Sequence, residues 1–484
     1  DDSSLDRPSL MDLIKCCARR KDLIRARKVY ADVVEKRLFP KDVSIGNALV
    51  SMFAKYGALY KAQELFDQLL VRDAVSWTSL IAAYAKHGLG KKALSCFRGM
   101  RDEGLSPDSI TFICILKVCG TLRRQDLGEE IFDEVTRQGL LKKDIVLGTA
   151  FVDMYAKCSA LQKAQEVFDK LPARNVVSWT ALICGYAQHG FTNQALNCFT
   201  QMQDEGISPN AVTFICILKA CGGTPFLDIG QAIHAKVKKA GLFGKDIVLG
   251  TALVDMYAKC GALKQAQEVF DQLPDRNVVS WNALITGYVQ HGLGDIALNC
   301  YVRMRQDGHV PTSVTFICIL KACGCVGSLE IGEAIHAEVQ KEGLFAKDTM
   351  IGTALVDMYA KCGVIEKAQE VFDELPARDV VAWNALMAGY VQHGHLISAL
   401  QFYDRMKRDG PDADEAIFIS LLTACGGISV LRQGQSLHCE VILKGFSLDT
   451  KIGNALLDMY TKCEGLEEAQ IVFNAMESRN EASW

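Results

Sequence analysis

The sequence predicts an all-α protein, a right-handed superhelical solenoid of about fourteen helix-turn-helix repeats. Three observations predict it. The phrase ALVDMYAKCG stands at 252–261 and again at 354–363, with AFVDMYAKCS at 150–159, so one helix is written out every 102 residues. FICIL recurs at 112–116, 214–218 and 316–320, and SWTAL at 178 is followed by SWNAL at 280, with the same spacing. Inside one period the apolar residues fall at i, i+3, i+4 and i+7, one face of a helix, and Gly or Pro closes each run. Self-similarity at a fixed period outranks other signals, because each unit is one supersecondary element that buries its apolar face only against its neighbours.

Each period holds three sub-repeats of 35, 36 and 31 residues, seen at 176–210, 211–246 and 247–277. Carried outward, this register places units at 7–42, 43–73, 74–108, 109–144, 145–175, 176–210, 211–246, 247–277, 278–312, 313–348, 349–379, 380–414, 415–449 and 450–480, behind a leader of residues 1–6. Residues 481–484 open a further repeat, so the natural chain is expected to continue past Trp484. In 247–277, Leu253, Met256, Tyr257 and Cys260 make one apolar stripe; after Gly261, Leu263, Ala266, Phe270 and Leu273 make a second, ended by Pro274. Such a pair reads as a helical hairpin. Two amphipathic helices cannot bury both stripes alone, so the hairpins stack, with the first helices lining a concave groove. At about 100° per residue, Thr251 points nearly opposite the first stripe and is expected to face that groove, away from the core.

A chain of 484 residues would by length suggest about three domains, but a repeat array overrides that prior. The formal net charge of −4 gives no global basic signature, so an anionic partner must be met by a local stripe of charge. Most of the nineteen cysteines recur at equivalent places, such as Cys114, Cys216 and Cys318, or Cys158, Cys260, Cys362 and Cys463, and read as small, buried, reduced thiols. No run approaches the roughly 18 apolar residues of a membrane span.

Units of 35, 36 and 31 residues in rotation, opening VVSWNALI, VTFICILKACG and GTALVDMYAKCG, resemble the P, L and S motifs of plant pentatricopeptide repeat proteins across 7–480. The resemblance implies single-stranded RNA as the partner, a mitochondrial or chloroplast location, no cofactor, and the role of the P-L-S subgroup, which is to direct C-to-U RNA editing. Protein cofactors of editing, contacting the L repeats, are further implied partners. It also implies that the fifth and last residues of each P or S unit read one base, the code-like mode of helical-repeat RNA binders. A terminal Asp accepts from the ring N–H of G or U, whereas a terminal Asn donates to the ring nitrogen of A or C. In the family, Thr at the fifth place goes with purines and Asn with pyrimidines.

On that pattern Asn47 with Asp73 implies U, and Thr78 with Asp108 implies G. Thr149 with Asn175, Thr180 with Asn210, and Thr251 with Asn277 each imply A; Asn282 with Thr312 departs from the usual pairs and supports only a pyrimidine. Thr353 with Asp379 implies G, Asn384 with Asp414 implies U, and Asn454 with Asn480 implies C, more weakly U. The L units carry Met11, Ile113, Ile215, Ile317 and Ile419 at the fifth place, with no hydrogen-bonding group, so their bases stay open. The implied site is N-U-G-N-A-A-N-A-Y-N-G-U-N-C. Second-place Val75, Val146, Val177, Val248, Val279 and Val381 would by resemblance clamp bases between repeats, a stacking contact that is sequence-tolerant. Thirteenth-place Lys55, Lys86, Lys157, Lys259, Lys361 and Lys462 supply the local basic stripe.

Plainer roles stand beside these. Asp and Asn at hairpin starts cap helices, lysines at helix ends answer the helix dipole, and the valines make good core residues. His87, His189, His291 and His393, each followed by Gly, read as helix ends without a catalytic role. His336-Ala337-Glu338 and His438-Cys439-Glu440 match half of a zinc deaminase signature, but the chain contains no C-x-x-C and the equivalent of Glu338 one period earlier is Lys236. Catalysis within 1–484 is therefore not expected, and an editing deaminase would lie past Trp484. The rival reading is a tetratricopeptide-like protein-binding scaffold, since the three lengths average 34 and Trp281, Leu284 and Tyr288 match that family's spacing. Against it, Ile285 stands where that pattern has glycine, and the polar pairs recur in P and S units only.

Overall fold

The structure is a computed structural model and describes residues 7–20, 23–222, 226–446, 450–476 and 478–483. The leader 1–6 and Trp484 of the expected further repeat lie outside the described residues. Among the described residues there are twenty-eight α-helices and no strand, so the chain is an all-α repeat solenoid, as the periodicity predicts. One period runs Val176–Gln188 with Thr192–Asp204, Ala211–Gly222 with Leu227–Lys239, and Ile247–Lys259 with Leu263–Asp271.

Local chemistry explains where these helices start and stop. Asn277 caps Val278–Gln290 by accepting the Ser280 N–H, and Ser280 answers through its hydroxyl, a reciprocal capping box. His291 closes the same helix, and Gly292 follows at φ +74°, the left-handed conformation a C-terminal turn requires. His87, His189 and His393 occupy the same closing place. Three of these imidazoles also reach back to the preceding hairpin: Nε2 of His87, His189 and His291 lies 3.3, 2.8 and 2.9 Å from the carbonyls of Ala54, Ala156 and Ala258.

The helices form two compact units, Asp1–Leu242 and Phe243–Trp484. Within each unit the first helix of a hairpin lies against the first helix of the next, as Val278–Gln290 does on Ser313–Val326, and each second helix packs on its own hairpin and the one that follows. Leu253, Met256, Tyr257, Ala266, Phe270 and Leu273 are buried, while Cys260 is half-buried. An aromatic pair recurs at one of the three joints in each period. Phe66, Phe168, Phe270 and Phe372 meet Trp77, Trp179, Trp281 and Trp383 edge-on at 4.6, 4.6, 4.5 and 4.8 Å between centroids.

The indole N–H at that joint needs an acceptor once buried. Trp77 and Trp179 donate to Glu103 at 2.8 Å and Glu205 at 3.0 Å, whereas Trp281 Nε1 is buried without a partner because Asp307, one methylene shorter, stands at the equivalent place. Asp307→Glu is therefore expected to raise stability by about 1 kcal/mol. Urea denaturation of the variant beside the parent checks this, and an unchanged midpoint would show that the carboxylate does not reach.

One expectation about the cysteines is overturned. Cys216 is not a free thiol: it forms a disulfide with Cys184, their Cα atoms 5.2 Å apart. The side-by-side helices Val176–Gln188 and Ala211–Gly222 bring the ninth residue of one hairpin against the sixth of the next. One period later the same two places hold Thr286 and Cys318, 3.2 Å apart, so a cross-link arises only where both are cysteine. The thiols of Cys158, Cys362 and Cys463 point at the carbonyls of Cys119, Cys323 and Cys425 at 3.7–3.8 Å, and burial raises each of the three pKa values.

Candidate nucleic-acid interface

The last residue of each 31- or 35-residue repeat is the N-cap of the next first helix, and this position fixes what its side chain offers. Oδ1 of Asp73 accepts from Ser76 N–H at 2.8 Å, and Oδ1 of Asp108 from Thr111 N–H at 2.8 Å. Oδ1 of Asn175, Asn210 and Asn277 accepts from Ser178, Thr213 and Ser280 N–H at 3.0, 2.9 and 2.9 Å. Asp379 and Asp414 accept from Ala382 and Ile417 at 2.9 and 3.1 Å. Only oxygen can accept from an N–H, so the cap decides which way each amide faces. Among the described residues, the other atom stays unclaimed: Oδ2 of Asp73, Asp108 and Asp379, and Nδ2 of Asn175, Asn210, Asn277 and Asn480. Capping and an available outward group thus coexist in one side chain.

Fifth residues sit differently from the expectation. They do not project freely into the groove: Asn47, Thr78, Thr149 and Thr180 are only 8–9% exposed, and Thr251, Asn282, Thr353, Asn384 and Asn454 are half-buried. The neighbouring first helix closes over that side, so the fifth place lies in the seam between hairpins, from which it reaches the last residue of its own repeat. Asn47 Nδ2 donates to Asp73 Oδ1 at 3.0 Å, Asn282 Nδ2 to Thr312 Oγ1 at 3.2 Å, Asn384 Nδ2 to Asp414 Oδ2 at 2.8 Å and Asn454 Nδ2 to Asn480 Oδ1 at 3.0 Å. Thr78 and Thr180 instead meet Thr111 and Thr213, each at 2.6 Å. Thr149 turns its hydroxyl to the Ile145 carbonyl, and Thr251 Oγ1 is buried with no internal partner. Burial pushes the Asp73 carboxyl up, but the Ser76 backbone and hydroxyl and the Asn47 amide together outweigh it and hold the pKa below the usual aspartate value.

The second-place valines are not core residues. Val75, Val146, Val177, Val248, Val279 and Val381 are 58–64% exposed. Met350 shares that exposure, and Ile110, Val212 and Val314 carry it into the long repeats, four positions missed when only valines of the 31- and 35-residue units were considered. Two clefts gather these places. One of about 400 Å³ is lined by Ile317, Met350, Thr353, Asp379, Val381 and Asn384. The other, of about 450 Å³, is lined by Met11, Asn47, Asp73 and Val75 together with Lys15 and Lys55.

The thirteenth-place lysines close first helices, and four of them are already paired. Lys157, Lys259, Lys361 and Lys462 bind Asp153, Asp255, Asp357 and Asp458, one turn earlier, at 2.7–2.8 Å. Lys55 and Lys86 have Ser51 and Ala82 there and have no carboxylate partner among the described residues. Exposed cations without a carboxylate partner also occur at Lys15, Lys117, Lys219 and Lys321, one every 102 residues. That spacing was legible in the sequence and was missed. His336 and His438 bond through Nδ1 to the Tyr359 and Tyr460 hydroxyls, while Glu338 takes Arg305 and Glu440 takes Tyr403. Each H-x-E pair is thereby divided between contacts with neighbouring hairpins.

The PPR repeat family model matches residues 72–121, 174–223, 276–325 and 378–426, and a PPR repeat model matches 251–278, 353–380 and 454–481. A chloroplastic pentatricopeptide repeat-containing protein of Arabidopsis thaliana is 35% identical over 86% of this chain and 67% of its own length. A mitochondrial one from the same plant is 33% identical over 94% of this chain and 44% of its own, and a second chloroplastic one 32% identical over 98% and 58%. The chain thus spans about half to two thirds of the length of these relatives. Among solved structures, maize PPR10 shares the fold at a TM-score of 0.51 and 18% identity, covering 97% of this chain and 83% of that one. With hairpins, caps and family matches recurring along its length, the chain belongs to the pentatricopeptide repeat family.

Proposed function

We propose that this chain binds single-stranded RNA sequence-specifically, one base per 31- or 35-residue repeat, and serves as the site-recognition tract of an organellar C-to-U editing factor. The observation that carries the reading is the divided last residue: its inward oxygen is held by the next helix, and its outward atom is an acceptor in Asp and a donor in Asn. That two-state difference is what telling G or U from A or C requires. Exposed apolar second-place side chains beside it supply stacking surface. Lys15, Lys55, Lys86, Lys117, Lys219 and Lys321 supply unpaired positive charge for phosphates, and the four Lys–Asp pairs, exposed and weak, can open to add more. Organellar location is supported by relatives named as chloroplastic or mitochondrial. A tetratricopeptide-like protein-binding groove would need no such alternation of donor and acceptor.

Fluorescence anisotropy at fixed moderate salt, comparing an RNA carrying NUGNAANAYNGUNC with a composition-matched scramble, tests it. At least tenfold tighter binding to the decoded RNA, about 1.4 kcal/mol, is expected. Equal affinity for the two overturns sequence reading. The editing role is tested separately, by loss of C-to-U conversion just downstream of that string in organelle transcripts when the gene is disrupted.

A further inference from the structure

We propose that the third residue of the helix following a reading pair is a specificity-positioning residue: its hydroxyl holds the last residue's inward oxygen and so leaves the outward atom to the base. This rests on the base-reading assignment above. Ser or Thr occupies that place after seven of the nine pairs, buried in every case, and Ala382 and Ile417 occupy it after the other two. The hydroxyl reaches the side-chain oxygen of Asp73, Asp108, Asn210 and Asn480, and the role belongs to these four, because Ser178 and Ser280 give theirs to the backbone carbonyls of Asn175 and Asn277 and Thr315 gives its own to Asn282.

At Asp108 the arrangement is complete. Thr111 donates to Asp108 Oδ1 through its N–H at 2.8 Å and its hydroxyl at 2.7 Å. The single Thr111 proton is spent on the carboxylate, so Thr78, 2.6 Å away, must donate to Thr111. The fifth residue thus acts on the last through the third, and Oδ2 is left clear. Thr213 repeats the hydroxyl contact at Asn210, 3.0 Å from Oδ1, but not the relay, since Thr180 also lies 2.6 Å from the Val176 carbonyl and has one proton to give. At Asp73 the same kind of hydroxyl also accepts the cap residue's own N–H, as in a capping box, whereas at Asp108 the Thr111 hydroxyl is given to the carboxylate, a bond that the cap's backbone N–H contact does not require.

Two repeats carrying the same Asn–Asp pair show what its absence does. In 43–73, the Ser76 N–H, the Ser76 hydroxyl and the Asn47 amide converge on Asp73 Oδ1 at 2.8, 2.8 and 3.0 Å. In 380–414 the third place is Ile417, which offers only its N–H to Asp414 Oδ1. The Asn384 amide turns instead to Asp414 Oδ2 at 2.8 Å, the oxygen that in Asp73 is free. The inference is that 43–73 discriminates its base more sharply than 380–414 although the two-letter pair is identical.

The test measures anisotropy for the whole chain with the decoded RNA and with single-base changes, G to A opposite 74–108 and U to C opposite 380–414. Thr111→Val, close in shape, is expected to cut the G-over-A ratio by about two- to tenfold. Ile417→Thr is expected to raise the U-over-C ratio by a similar factor, a gain that misfolding cannot imitate. Thr already fits this buried place at 111, 213 and 315. Asp108→Asn is the control for base reading itself. If it moves preference from G to A while both third-place variants leave their ratios unchanged, the positioning role is overturned. A change in Thr111→Val alone also overturns it, since that marks a scaffold hydroxyl. Should Asp108→Asn leave the preference at G, base reading falls and this inference with it.

Discussion

The double variant Asn175→Asp, Asn210→Asp is expected to exchange its preferred RNA, from A-A to G-G opposite the two adjacent repeats. In each asparagine, Oδ1 is committed to the next helix and Nδ2 is the outward atom, a donor suited to a purine ring nitrogen without a proton. Replacing the amide by a carboxylate keeps the inward oxygen and turns the outward group into an acceptor, suited to the ring N–H of G. A mismatched base leaves a desolvated polar group unmet, which costs about 1–3 kcal/mol. Over two repeats the swing is about 2–5 kcal/mol, or between one and four orders of magnitude in the affinity ratio. Aspartate caps helices as well as asparagine does, and its charge favours a helix N-terminus, so folding is preserved. Competition anisotropy with A-A and G-G versions of the RNA reads the exchange directly, and an unaltered preference would falsify base reading by the last residue.

Trp281→Ala is expected to destabilise the protein by about 3–5 kcal/mol, the cost of emptying a fully buried indole site. Trp281 is the aromatic joint between hairpins 247–277 and 278–312, meeting Phe270 edge-on at 4.5 Å. In a repeat array each hairpin is held by its neighbours, so the loss concentrates at one joint instead of spreading over the chain. Hydrogen exchange should therefore show protection falling first in Leu263–Asp271 and Val278–Gln290, with denaturant unfolding becoming broader or two-stepped. A loss below about 1 kcal/mol would mean that the joint is held by other contacts. Because Asn277 caps the helix carrying Trp281, selectivity at that repeat should weaken as well.

Much of the architecture was legible because it depends on interactions within a few residues. Caps, closing His-Gly pairs and apolar spacing each act over one or two turns, and the 102-residue period repeats the same local solution. The pairing of Lys157 with Asp153 also lies within one turn and was open to view, yet a lysine counted alone looked like free charge. Contacts between hairpins were not legible. Thr180 meets Thr213 across 33 residues, and Cys184 meets Cys216 across 32, because first helices lie side by side in the seam. A sequence pattern states which residues share a face of one helix, but not how far the next helix covers it.

By itself, then, the sequence determined the helices, their caps, the hairpin class and the outward chemistry of Asp108 or Asn210, since a cap's geometry follows from bonds to its own next turn. Tertiary structure alone decided that the fifth residues are buried in the seam, that the second-place valines stand in the open, that Cys184 and Cys216 are joined, and that the Asn47 amide meets Asp73 Oδ1 while the Asn384 amide meets Asp414 Oδ2. The physical reason is reach. Helix-forming and capping interactions span at most about four residues and are written in the local sequence, whereas burial at a given place depends on side chains delivered by a hairpin some thirty residues away.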